Sequence, residues 1–210
     1  MKPAAIGMRV HSGWAAMVAI GFEGKSPRVL WRGRPHLVET FTFEFRQPYH
    51  TAEKLSIDEA GAVIAQARDT ATRLARKAIE DVRLAIHPHG FELNRCCLLL
   101  ASGKPLPALE KILASHALIH TADGELFRQS ILEAGKQAGL ETFTIQERTL
   151  LPTASGVLKL PADELLRRAA ALGASHGSPW TQDEKLSALA AWMSLVSNAA
   201  FVMPGSSSRG

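Results

Sequence analysis

The sequence predicts an α/β fold: a mixed five-stranded sheet, built from an antiparallel three-strand meander plus two crossover strands, with helices on both faces. Three observations carry this reading. Short apolar segments broken by glycine and proline turns crowd the first 47 residues. A long amphipathic helix follows, opened by Ser56 and closed by HPHG. Two further strand-like runs, RCCLLLA and ETFTIQE, are then separated by helical sequence, the order that right-handed β-α-β crossovers require.

Residues 8–20 and 28–38 read as two strands joined by GFEGKSP, a turn rich in glycine and proline. TFTFEFRQ reads as the third, because Phe41, Phe43 and Phe45 alternate with Thr40, Thr42, Glu44 and Arg46, the period of a half-buried strand. Ser56 and Glu59 then form a capping box. Ala60, Val63, Ile64, Ala67, Ala71, Leu74, Ala75, Ala78, Ile79 and Val82 recur at helical spacing behind it.

Arg95–Ala101 is a continuous apolar run of strand length, expected in a central strand buried on both faces. SGKPLPALEKILASH holds a short helix, and TADGELFRQSILEAGKQAGL a longer one with Thr121 as N-cap and Gly139 past its end. ETFTIQE is the fifth strand. Two helices close the chain, Pro161–Leu172 stopped by Gly173, and one starting at Thr181 with Glu184 three residues on. Residues 1–200 are thus expected to form a single domain, and the linker-like PGSSSRG marks 201–210 as a disordered tail.

The 210 residues are 46% hydrophobic with a net charge of +4 and 24 Lys and Arg without a run of five, a balance that permits an anionic partner without demanding one. Cys96 and Cys97 are adjacent, so on a strand they point to opposite faces and cannot bond each other. They read as small buried hydrophobes in a reducing compartment. Arg9 and His11 break the first apolar stretch, and no apolar run is long enough for a membrane span, so a cytoplasmic location is expected.

This order of elements resembles the ribonuclease H-like superfamily, which includes Holliday-junction resolvases, transposases and actin-like ATPases. RVHSGWAAMVAI is similar to the resolvase first strand, and TQDEKLSALAAWMSL to the resolvase final helix. The resemblance implies two-metal chemistry on converging acids from the first strand, the end of the fourth and the last helix. Here the first position falls at His11 or Ser12, and no Asp or Glu occurs from Met1 to Phe22. The fourth-strand position falls near Ser102. Only the last helix keeps acids, Asp183 and Glu184. The ATPase branch fits less well, because HSGWA offers one glycine where a phosphate loop needs several.

His116 and His120 are four residues apart, a spacing that puts both on one helix face and suits zinc, with Asp123 and Glu125 as candidates for a third ligand. The alternative reading makes them packing residues at a helix junction. Pro88 makes HPHG a helix stop rather than a site. The sharpest expectation is a shared rim where His11, His116, His120, Glu125 and Asp183 carry the chemistry on a divalent metal, Mn²⁺ or Zn²⁺. Ser12, Ser102, Lys104 and Arg128 would contact substrate there, the SGK turn offering backbone amides and a lysine to an anion. The expected partner is nucleic acid. The competing reading is a non-enzymatic scaffold that dimerises through an exposed apolar surface of Ala188, Leu189, Ala191, Trp192, Leu195 and Val196.

Overall fold

In the computed structural model, which describes residues 1–101, 105–174, 176–178 and 180–197, β1 (Lys2–His11), β2 (Trp14–Glu23) and β3 (Ser26–Gly33) form the meander. Two-residue turns join them, Ser12–Gly13 and Gly24–Lys25. Gly13 and Gly24 have φ of 85° and 60°, the left-handed region that glycine enters without a Cβ clash. β4 (Phe91–Leu100) lies parallel to β1 and β5 (Glu141–Gln146) parallel to β4, giving the sheet order β3-β2-β1-β4-β5. The fold class expected from the sequence is the one observed.

The strand boundaries differ from expectation. Residues 8–20 are the end of β1, a reversal at Ser12–Gly13 and the first part of β2. TFTFEFRQ is not a strand: one turn of helix, α1 (Phe43–Arg46), forms within it, and Phe41, Phe43 and Phe45 are 42%, 57% and 50% exposed. The cause lies just upstream. Beyond β3 the chain folds back over the first hairpin, where the Leu37 N–H donates to the Gly13 carbonyl at 2.8 Å and the Ala15 N–H to the Pro35 carbonyl at 3.2 Å. Residues 40–47 therefore leave the plane of the sheet and meet no edge to pair with.

Helices cover both faces. On one lie α2 (Pro48–Ala52), α3 (Ile57–Ile86), α4 (Leu109–Leu113) and α5 (His116–Gln137). α3 starts at the capping box of Ser56 and Glu59 and buries Ile64, Ala71, Ala75, Ile79 and Val82 against Ile6, Met8, Met17 and Leu98. On the other face lie α6 (Glu147–Leu158), α7 (Ala162–Ala171) and α8 (Gln182–Val196), over Ala5, Val18, Cys97 and Phe143. Cys96 and Cys97 belong to opposite cores, and burial pushes their thiols up to about 11 and about 12, so both stay protonated and inert at neutral pH. α6 has no counterpart in the sequence reading, because Pro152 and Gly156 interrupt its helical signal.

The final helix corrects a second expectation. Ala188, Leu189, Ala191 and Trp192 are buried against this chain's own sheet and present no free surface, leaving Leu195 half-buried and Val196 exposed. α8 packs unusually close to β1. A Cβ on Gly7 would overlap the Ser187 carbonyl and lie 2.8 Å from the Ala191 amide nitrogen. The Ser187 hydroxyl donates to the Ala16 carbonyl at 3.0 Å, tying the same turn of α8 to β2. At its far end, Arg95 donates to the carbonyls of Ser194 and Ser197 at 2.6 and 2.9 Å, a cation meeting the negative pole of the helix. Among the described residues no helix is long and apolar enough to cross a membrane. The expected tail, 201–210, lies outside the described residues.

Both atoms that a Gly7 methyl would strike belong to backbone, so no rotamer change relieves the overlap. Gly7→Ala is expected to cost about 3 kcal/mol or more, read as a lowered urea midpoint with an unchanged slope.

Candidate functional site

β1, β4 and β5 all end at one rim of the sheet. Along β1 the odd-numbered residues face α8, so Ala5 and Gly7 give way to Arg9 and His11 as the strand reaches this rim. Glu147 opens α6 directly after β5, and Asp183 and Glu184 occupy the first turn of α8. The capping box of Thr181 and Glu184 fixes that turn: Glu184 accepts from the Thr181 N–H at 2.9 Å and from its hydroxyl at 2.6 Å.

The charges are paired. The Arg9 guanidinium donates two bonds to Glu147, both 2.9 Å, and a third to Asp183. His11 Nε2 lies 3.1 Å from Asp183 Oδ1, and its ring stacks on Trp14 with centroids 4.3 Å apart. Arg34 donates to both carboxylate oxygens of Glu184, at 2.6 and 3.1 Å, and to the Thr181 hydroxyl at 2.9 Å. Burial alone would raise the Glu184 carboxyl, whose side chain is 4% exposed, but the bonds from Arg34 and Thr181 outweigh it and hold the group at about 2. Asp183 shows the same contest: burial raises it, and Arg9 and His11 bring it below the usual carboxylate range.

A divalent-metal pair does not fit this donor set. Such a pair needs several carboxylates whose charge is otherwise unbalanced. Here the strand residue aimed at the helix acid is a guanidinium, and it already occupies the space between Asp183 and Glu147. His11 and Ser12, the positions matched to the first-strand acid, are displaced from that place. His11 shares the face with Arg9 two residues on, and Ser12 sits in the turn, where its carbonyl accepts from Arg46 at 3.2 Å.

The other two histidines expected at the rim, His116 and His120, belong to a second group on the opposite face. α5 begins at His116, not at Thr121, whose hydroxyl instead bonds the Ala117 carbonyl inside the helix at 2.9 Å. His116 and His120 are consequently one turn apart with their Nε2 atoms at 3.0 Å. Their companion is His50 of α2, with ring centroids 4.4 Å from His120 and 5.3 Å from His116. Asp123, only 2% exposed, accepts from the Tyr49 N–H at 2.8 Å and lies 2.5 Å from His50 Nδ1. Burial raises the Asp123 carboxyl, against the opposing pull of these two donors.

The structure thus divides the expected rim cluster. His11 joins Asp183 against α8, while His116 and His120 join His50 against α5. Glu125 belongs to neither group: it takes Arg128 at 2.9 Å and Gln129 at 2.6 Å along its own helix. Ser102 and Lys104 lie outside the described residues. Sequence reasoning missed Arg9, Arg34, Glu147 and His50. For Arg9 a signal existed, since the same alternation that places His11 on the α8 face places Arg9 there too. His50 is paired only by tertiary contact.

Glu184 sets a pH window. Its folded value of about 2 lies below the ordinary 4.5, so its contribution is complete above about pH 4.5 and disappears as pH falls toward 2. Allowing for solvent around the half-exposed Arg34, that contribution is about 2–3 kcal/mol. Glu184→Gln should lower the urea midpoint at pH 7 and match the natural chain near pH 2. A gap that stays constant across this range would assign the stability elsewhere.

No protein-family model matches the chain, and no curated protein matches it in sequence. Solved structures do match in shape. RuvC from T. thermophilus, determined in complex with a Holliday junction substrate, superposes with a TM-score of 0.52 at 8% identity, covering 92% of this chain and 93% of that one. A second Thermus thermophilus RuvC structure covers 90% and 92%, at 9% identity and a TM-score of 0.47. With the strand order observed here, the first likeness shows that this chain has the ribonuclease H-like fold.

Proposed function

We propose that this chain is a nucleic-acid-binding domain that has kept the resolvase-like frame and replaced its metal-dependent cutting centre with ion pairs. The observation that carries the reading is Arg9, held between Glu147 and Asp183. A guanidinium there neutralises the carboxylates that would hold divalent ions, and it activates no water. His11 is likewise engaged, hydrogen-bonded to Asp183 and stacked on Trp14.

Support for the ligand class comes from three directions. The RuvC structure with the same fold was determined with a DNA junction, and the likeness spans nearly the whole of both chains. The chain carries a net charge of +4. Next to the rim, exposed Phe41, Phe43 and Phe45 accompany Arg46, whose guanidinium lies 4.4 Å from the Phe41 ring centroid. Aromatic faces interleaved with arginine suit unstacked bases and the phosphates beside them. The same exposed phenylalanines are what favours the second reading, a partner-binding or dimerising domain, now placed away from the final helix.

Fluorescence anisotropy with labelled four-way junction, duplex and single-stranded DNA tests the proposal. Binding that involves about four phosphates should weaken about 100-fold between 50 and 200 mM salt. Phe43→Ala with Phe45→Ala should weaken single-strand binding further, by about 10-fold or more. Incubation with Mg²⁺ or Mn²⁺ should leave every substrate intact. Metal-dependent cleavage would overturn the replaced centre. Absence of salt-sensitive binding would overturn the ligand class, and a concentration-dependent dimer in sedimentation would then favour the partner-binding reading.

A further inference from the structure

We propose that His50, His116 and His120 form a three-histidine site for a divalent cation of the zinc class, with Asp123 as the carboxylate that orients His50 and balances the charge. The site is separate from the rim ion pairs and does not depend on the nucleic-acid reading.

Helix geometry supplies two ligands. His116 and His120 project from successive turns of α5 with their Nε2 atoms 3.0 Å apart. Two nitrogens at Zn–N bonds of about 2.0–2.1 Å in a tetrahedron are separated by about 3.3–3.4 Å, so a small widening admits the ion. The third ligand arrives from α2, and the ligand nitrogens of all three histidines lie within 4.8 Å of one another. Only one proton can be shared between the facing nitrogens of His116 and His120, and the bond that holds His50 goes to Asp123 rather than to either of them. A cation accepts all three lone pairs at once.

Asp123 strengthens the assignment. It is buried, sits one turn beyond His120 on the same helix, and receives the Tyr49 N–H and the His50 Nδ1–H. Donating that proton leaves the Nε2 lone pair of His50 for ligation, the carboxylate–histidine–metal relation found around bound zinc. The positive pole of α5 opposes a cation at its first turns, but that pole is equivalent to about half a charge and Asp123 brings a full one. His116 and His120 are exposed, so the fourth position faces solvent and is left to water or an exogenous ligand. Position 117 holds alanine where helical zinc hydrolases carry a glutamate base, so the geometry gives binding without that hydrolytic chemistry.

Titration of the tag-free, chelator-stripped chain with Zn²⁺ and with Co²⁺ tests this. One equivalent should bind per chain, Co²⁺ should show the visible bands of a four-coordinate nitrogen-rich site, and a hundredfold excess over the dissociation constant should raise Tm by about 5–10 °C. His116→Ala and His120→Ala alter exposed side chains, so both variants should fold, and each should abolish the Co²⁺ spectrum. Asp123→Asn should weaken binding about 10–100-fold. Absence of saturable binding at micromolar metal, or binding unchanged in His116→Ala and His120→Ala, would overturn the site. DNA binding measured on the same preparations reports separately on the nucleic-acid proposal.

Discussion

The whole arrangement depends on how closely α8 lies against β1. Gly7 removes the one side chain that would hold the helix off, and serine and alanine on the facing turns let backbone meet backbone. Interiors are packed too densely to absorb an extra methyl between two backbones. With the helix held there, its first turn overhangs the end of β1, and Asp183 and Glu184 come down onto Arg9, His11 and Arg34. The pairing at the rim is therefore a consequence of one small residue two positions upstream of Arg9.

The fold by itself does not choose between a metal centre and an ion-pair clasp, because both need acids brought to the same rim. The choice is made by the charge of the β1 residue facing α8. A carboxylate there would add to Asp183 and Glu147 and leave a concentration of negative charge that only a cation can relieve. Arginine provides that relief internally, through directed hydrogen bonds to two acids from two different helices. It links the starts of α6 and α8 to the central strand. The likeness in backbone to RuvC is a likeness of frame and does not by itself fix the chemistry at the rim.

Most of the scaffold was legible because local chemistry marks it. Ser56 with Glu59, and Thr181 with Glu184, announce helix starts through reciprocal bonds that form within four residues. RCCLLLA has the length and continuous apolar character of a strand covered on both faces, and it ends β4. TFTFEFRQ misled because its period of two matches a strand, while whether it pairs depends on where the chain goes around Pro35 and Leu37, which bond Ala15 and Gly13 twenty or more residues away. The same limit hid part of each site. His116 and His120 are legible as neighbours on one helix, yet His50 reaches them from a helix nearly seventy residues earlier. Arg9 was passed over for a subtler reason: alternation identifies a face of β1 but does not say which of its two polar residues the acids of α8 will meet.

The segment that spoiled the strand prediction also joins the two sites. Leaving β3, it places Arg34 on Glu184 at the rim, and His36 beneath Phe41 with ring centroids 4.3 Å apart. Arg46 then reaches back to the Ser12 carbonyl in the first hairpin, Phe43 meets the edge of His50 at 5.9 Å, and His50 meets Asp123 and the α5 histidines. Contacts spaced along this one segment thus run from the rim ion pairs to the histidines on the other face. Residues 34–42 lie outside every helix and named strand, so their position is set by these contacts rather than by a ladder. The backbone that carries Phe41 and Phe43 is thus held at one end by His36 and Arg46 and at the other by His50.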